Sequence, residues 1–320
     1  MAWRSVVITQ PARLKLEQRA LVVEQESGTV RIPLEDISVL VIDQPQVLLT
    51  ASLLSACASA QIAVITVGGD HHPNGVLLPH LPHSRALKII RAQLALTLPR
   101  KKRLWQIIVQ RKLHNQADLL DQLGHARAAL TLNHLAQRVR SGDAGNAEAH
   151  GAQVYFKAVF GQGFSRAQIR WHNAALNYGY SVVRSTLARN LVAYGFITAL
   201  GLHHSSEQNA FNLADDLIEP FRPLIDAHVL GLIAAPGEAQ GAEPPPELSR
   251  NDKAHMVQIL HEDIRLHRGD APSVIEHFSV LAACEQLVIS LSQRLFDENL
   301  TLDLPARAVK KPTEDGDHEL

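Results

Sequence analysis

Residues 75–90 read Gly75-Val-Leu-Leu-Pro79-His-Leu-Pro82-His-Ser84-Arg-Ala-Leu-Lys-Ile-Ile90, and this stretch divides the chain into two kinds of structure. Ahead of it, short apolar runs are broken by turn-forming residues, the pattern of strands. Pro79 and Pro82 interrupt any regular element. From Ser84, a suitable helix N-cap, apolar residues recur at helical spacing. The expected fold is therefore α+β. A β-rich, β-sandwich-like domain covers 1–80, and a mostly α-helical domain covers 81–304.

Working back from the boundary, strands are expected at 5–9, 13–16, 20–24, 29–32, 37–42, 62–67 and 75–78, with a helix of small residues over 48–60. Alternation is clean at 13–16 and 29–32, which fits sheets with one wet face, whereas Ile37 to Ile42 is nearly all apolar and reads as a buried strand. Working forward, helices are expected at 84–98, 100–122, 125–139, 146–159, 166–171, 173–200, 208–219, 222–234, 250–267, 272–276 and 279–297. The segment 236–249, with Pro244-Pro245-Pro246, reads as a mobile loop, and 305–320 as a disordered tail rich in polar and acidic residues.

A chain of 320 residues with 46% apolar and 20% charged residues has the composition of a folded globular protein. No apolar run approaches the ~18 residues that span a bilayer, and the start lacks the apolar core of a signal peptide, so the expected location is cytoplasmic. Cys57 and Cys284 alone cannot build a disulfide framework or a four-cysteine zinc site. The net charge of −1 conceals an asymmetry: residues 1–80 carry −2, residues 81–230 carry +9, and residues 231–320 carry −8. A basic middle of this size points to a polyanionic partner.

The basic run Arg100-Lys101-Lys102-Arg103 opens a helix, where the dipole disfavours cations, and Arg111-Lys112 follow on the same helix. Phosphate contacts to nucleic acid would account for that placement, so these six are the candidate DNA-binding residues. Most of the 17 histidines have ordinary explanations: His71, His72, His80 and His83 flank prolines or turns, and His203-His204 would gain from a helix ending near Leu200. Two acidic sites are harder to dismiss. Asn212, Asp216 and Glu219 form a polar stripe in an apolar neighbourhood, where carboxylates one turn apart require a cation, either a metal or Arg222. Glu148 lies above Gly151 and Ala152 on a helix whose small residues let another helix come close, so it is either a capping charge or a functional group at a helix crossing.

Taken together, Glu148…Tyr155-Phe156, Asn173-Ala-Ala-Leu-Asn177-Tyr178-Gly179-Tyr180, His203-His204 and Asn212-Leu-Ala-Asp-Asp216-Leu-Ile-Glu219-Pro-Phe-Arg222-Pro223 resemble the CRISPR-associated integrase family. The similarity is to the short form from type II systems, and it covers roughly residues 3–300. The resemblance implies homodimerisation through the β-rich domain and an active site in the helical one. It further implies a Mg²⁺ or Mn²⁺ site formed by Glu148, His204 and Glu219, with His203 as the alternative imidazole. Asp216, Tyr178 and Arg222 would stand around it, Tyr178 against DNA or a ligand carboxylate and Arg222 bracing Glu219. The implied reaction is attack of a 3′-hydroxyl on a phosphodiester, joining DNA with 3′ overhangs to CRISPR repeat DNA. The implied assembly is a heterohexamer with a small ferredoxin-fold adaptation protein. The competing readings are a non-catalytic helical nucleic-acid-binding scaffold and a metal-dependent nucleotide phosphohydrolase. The second lacks an Asp directly after either His pair.

Overall fold

The computed structural model describes residues 4–68, 73–80, 86–233, 247–267 and 277–306. The N-terminal part holds β1 (Arg4–Ile8), β2 (Arg13–Glu17), β3 (Ala20–Gln25), β4 (Gly28–Pro33), β5 (Ile37–Ile42), β6 (Leu48–Leu49), α1 (Ala51–Ser59), β7 (Ala63–Val67) and β8 (Pro73–Leu77). Two four-stranded sheets result, ordered β4-β3-β2-β6 and β1-β5-β7-β8. Strands β2 and β3 join through Gln18 and Arg19, both at positive φ (47° and 62°), the left-handed pair that a two-residue hairpin turn requires. In the second sheet β1, β5 and β7 run parallel, and every residue of β5 is buried.

That burial has a specific cause. One face of the parallel sheet, with Ile37, Leu40 and Ile42, packs with Leu14, Leu21, Leu53 and Cys57 into the N-terminal core. The other face, with Val39, Val41 and Ile65, belongs to the core of the helical part. Helix α6 (Trp171–Ala193) lies on β7 and β8, and α9 (Arg250–Gln258) lies on β1. A buried ion pair, Lys253 Nζ to Asp43 Oδ2 at 2.8 Å, joins α9 to the end of β5. The sheet is thus a middle layer shared by both halves.

The remaining elements are α2 (Ala86–Leu94), α3 (Leu98–Gln122), α4 (Ala126–Arg138), α5 (Ala147–Phe160), α7 (Asn212–Ile218), α8 (Arg222–Ile233), β9 (Asp263–His267), β10 (His277–Ser279), α10 (Val280–Arg294) and β11 (Leu304–Ala306). Helix α3 touches α4, α5, α7, α8 and β11, and so organises the helical part. No helix among the described residues is long and apolar enough to cross a membrane.

The β-rich start and mostly helical remainder are as expected; several elements differ. The helix expected over 250–267 stops at Gln258, and Asp263–His267 becomes the central strand of a sheet ordered β10-β9-β11. Pro305 and Ala306, expected in a disordered tail, pair with Leu266 and Arg265 in that sheet. At the end of the expected mobile loop, Leu248 is buried and Ser249 caps α9 in a reciprocal capping box with Asp252. The helix expected over 166–171 is a series of turns. The N-cap at Ser84, the helix at 272–276, His71, His72, His83 and Pro244 to Pro246 lie outside the described residues.

Candidate active site

Helix α6 ends seven residues before its expected stop. Gly195, at φ +86°, donates its N–H to Val192 O, and Phe196 donates to Leu191 O, which satisfies the last carbonyls in a left-handed cap. His203 and His204 therefore lie in the following loop and not at a helix C-terminus. Asp216, fully buried on α7, gathers that loop. Its carboxylate accepts from the backbone N–H of Leu202 (2.5 Å), His203 (3.2 Å) and His204 (3.0 Å), and from His204 Nδ1 at 2.8 Å. The approach is possible only because residue 201 is glycine: a Cβ there would lie 2.3 Å from His204 O and 2.8 Å from Asp216 Oδ2. His203 turns away and stacks on Trp105 with ring centroids 4.3 Å apart.

Glu148 is fixed by a different device. Before α5 the chain makes a tight turn through Gly142, Asp143 and Asn146, all at positive φ. The Asp143 carboxylate accepts from the N–H of Ala147 (2.8 Å) and of Glu148 (3.0 Å), capping the helix. One turn on, Gly151 lies so close to α3 that an added Cβ would be 2.3 Å from Leu113 Cδ2. The crossing brings Glu148 to Lys112, the residue preceding Leu113 on α3.

Glu219 arrives from the third direction, in the turn between α7 and α8. Asn115 of α3 donates to the carbonyl of Pro220 (2.8 Å), which pins that turn to α3. Glu219 is buried. Arg222 Nε donates to its Oε1 at 2.8 Å and Lys112 Nζ to its Oε2 at 2.5 Å, while the same Nζ donates to Glu148 Oε1 at 2.6 Å. One ammonium thus bridges two carboxylates 71 residues apart in sequence. Burial by itself would raise the pKa of Glu219, but Lys112 and Arg222 overcome this and hold it at about 2. Burial likewise opposes the charge on Lys112, and the two carboxylates outweigh it, raising its pKa. The bond to Asp216 raises the pKa of His204 despite partial burial, with the charges of Asp216 and Glu219 adding to it.

Among the described residues, no three His, Cys, Asp or Glu side chains stand close enough to cage a metal ion as they lie. The cation position between Glu148 and Glu219 is taken by Lys112. Their oxygens and the imidazole of His204, whose Nδ1 is engaged by Asp216, are nevertheless a donor set suited to Mg²⁺ or Mn²⁺.

The sequence of the family described as CRISPR associated protein Cas1 matches residues 5–237. This chain belongs to the Cas1 family. It is 43% identical over 299 residues to CRISPR-associated endonuclease Cas1 of Neisseria meningitidis serogroup C (strain 8013), covering 93% of this chain and 94% of that protein. A second relative, CRISPR-associated endonuclease Cas1 1 of Pyrobaculum aerophilum, is 28% identical over 256 residues, covering 75% and 83%. The fold is shared with a casposase bound to its integration product (TM-score 0.74, 16% identity, covering 95% and 93%). It is also shared with TM1797, a Cas1 protein from Thermotoga maritima (TM-score 0.73, 18% identity, covering 96% and 100%).

Other expected residues fall differently in this Cas1 chain. Arg222 does brace Glu219, with its guanidinium 4.5 Å over the Tyr180 ring. Tyr178 is fully buried near Asp43, away from solvent. Lys112, expected on the DNA-facing side, is buried between the two acids. Arg111 is largely enclosed, with a buried Nε, and burial lowers its pKa. Arg100 pairs with Glu298 at 2.9 Å, Arg103 meets the same carboxylate at 3.5 Å, and Lys101 donates to Gly201 O at 3.2 Å; Lys102 and Arg103 are the exposed members of the basic run. Asp143 and Asn115 carry no signal of their own in the sequence, and Trp105 reads there only as a neighbour of the basic run. The face shared by Lys101, Trp105 and Lys112 on one helix was the available signal.

Proposed function

We propose that this chain is a metal-dependent DNA integrase and endonuclease that joins short DNA fragments to a CRISPR array by 3′-hydroxyl attack on a phosphodiester. The observation that carries the reading is the convergence of Glu148 and Glu219 on one cation position, in a chain of the Cas1 family.

Glu148, Glu219 and His204 would hold the Mg²⁺ or Mn²⁺. When bound, the ion would supply Lewis-acid polarisation of the scissile phosphate and charge stabilisation at the attacking and leaving oxygens. The chain's own residues do the positioning. Asp216 fixes the ring of His204 through Nδ1, so that Nε2 is the nitrogen left for a ligand. Arg222 holds Oε1 of Glu219 and leaves Oε2 toward Glu148. Tyr155 and Tyr180 both donate to buried Asp226, which ties α5 and α6 to α8 behind the acids. The exposed Lys102 and Arg103, in a segment of net charge +9, favour DNA as partner.

The same fold occurs in a Cas6-RT-Cas1–Cas2 complex (TM-score 0.70) and in a TtCas1–DNA complex (TM-score 0.51). These complexes support a DNA substrate and assembly with a second Cas protein, here read as the small ferredoxin-fold partner of a heterohexamer. The test is strand transfer of a short duplex with 3′ overhangs into supercoiled plasmid, with and without Mn²⁺. Transfer that requires Mn²⁺ and disappears in Glu148→Ala and Glu219→Ala is expected. DNA binding without any transfer would favour the scaffold reading.

A further inference from the structure

Lys112 is the charged group at this site to which the reaction above gives no task. It sits in the middle of the 25-residue helix α3, and its side chain is only 8% exposed. Its two bonds go to Glu148 Oε1 and Glu219 Oε2, the oxygens that the two acids turn toward each other. The other Glu219 oxygen belongs to Arg222, which is held against the ring of Tyr180.

The two cations differ in kind. The planar guanidinium of Arg222 is fixed by a carboxylate and an aromatic face and acts as a permanent brace. The ammonium of Lys112 is a compact point charge on a four-carbon stem, the cationic side chain best suited to move away. Without a positive charge between them, two carboxylates brought together by a helix crossing and a pinned turn would repel each other in a buried setting. An ammonium satisfies them, and it uses the same oxygen atoms that a divalent cation would need.

We propose that Lys112 is a built-in counter-ion of the Glu148–Glu219 pair, which keeps the acids assembled in the metal-free protein and is displaced when a divalent cation binds. The proposal rests on the metal-dependent reading above. It has two consequences that an ordinary structural ion pair lacks. Lys112 competes with metal and so weakens metal affinity. It also makes the metal-free fold independent of metal, because the site is never left with two bare carboxylates.

The test is calorimetric titration of Mn²⁺ into the full chain and into Lys112→Met, Lys112→Gln and Glu219→Gln variants, with thermal melts with and without Mn²⁺. Lys112→Gln keeps N–H donors for the acids if the methionine packs badly. Both neutral variants are expected to bind Mn²⁺ about tenfold tighter than the parent or more, since a competing charge has gone. They should also melt lower without metal and gain more from its addition; a variant that folds only with Mn²⁺ is the extreme form of the same result. Equal or weaker Mn²⁺ affinity in both neutral variants overturns the proposal and leaves the metal site standing. If the parent binds no Mn²⁺, or if Glu219→Gln binds it as well as the parent, the metal-dependent reading fails and takes this proposal with it.

Discussion

The hydroxyl of Tyr155 donates to Asp226 Oδ2 at 2.7 Å, and each of these residues lies seven positions after one of the two acids, Glu148 and Glu219. Glu148 and Tyr155 share one face of α5 two turns apart. The pair is a second tie between the same two segments that Lys112 joins at the site. Asp226 is fully buried, and burial raises its pKa while the two tyrosine hydroxyls counter that.

Tyr155→Phe should therefore act on stability and on alignment together. Loss of a buried hydrogen bond to a charged acceptor costs about 1.5–3 kcal/mol. Chemical denaturation should show a loss of that size, and strand transfer should fall at a temperature where the variant is fully folded. A variant with parental stability would mean that Asp226 is satisfied by Tyr180 alone.

Glu148→Ala and Glu219→Ala should both abolish strand transfer, yet differ in stability. Glu219 is buried, and its removal strips Arg222 of the carboxylate it is bonded to and leaves Lys112 with Glu148 alone, a loss of about 3–5 kcal/mol. Glu148 is 29% exposed on its side chain, so water takes over part of its role and the loss should be smaller. Melting curves of the two metal-free variants decide the order. This difference is not legible in the sequence, which does not reveal that the acids are paired with cations.

How much was legible follows from the range of the interactions concerned. The all-apolar β5 and the Pro79–Pro82 boundary are local signals, and the β-rich start and helical remainder follow from them. Strand β9 is not local: Asp263–His267 is extended because β10 and β11 flank it, the nearer starting ten residues later. The stripe of Asn212, Asp216 and Glu219 was visible as a polar anomaly, but its members have separate tasks. Asp216 gathers the backbone of residues 202–204, and Glu219 faces Lys112. Lys112 was grouped with Arg111 because they are neighbours in sequence. Consecutive helical positions point about 100° apart, and only one of the two faces the acids.

The DNA contacts should narrow accordingly. Replacing exposed Lys102 and Arg103 by alanine should flatten the log-log salt dependence of DNA affinity by about 2 units, at roughly 0.9 per phosphate contact. Affinity should fall equally for all sequences, since phosphate contacts carry no base information. Filter binding across a salt series measures both. An unchanged slope would place these two side chains away from the duplex.

The last prediction concerns pH. His228 has both ring nitrogens on acceptors, Nδ1 on the Glu262 carboxylate and Nε2 on His255 O at 2.8 Å, and only the imidazolium can donate to both. Burial pulls its pKa down, but the Glu262 and His255 partners outweigh burial and raise it above the ordinary 6.5. The folded chain then holds this proton more tightly than the unfolded chain does. The stabilisation is full below about pH 6.5, where both states are protonated, and fades as pH rises through the higher folded-state value. His228→Gln should therefore cost clearly more stability at pH 6 than at pH 9, where the parent has already lost the ionic part of the interaction. Urea denaturation of both proteins at the two pH values tests this directly. A cost that is the same at both would show that His228 stays neutral in the folded chain, and the raised pKa would have to be abandoned.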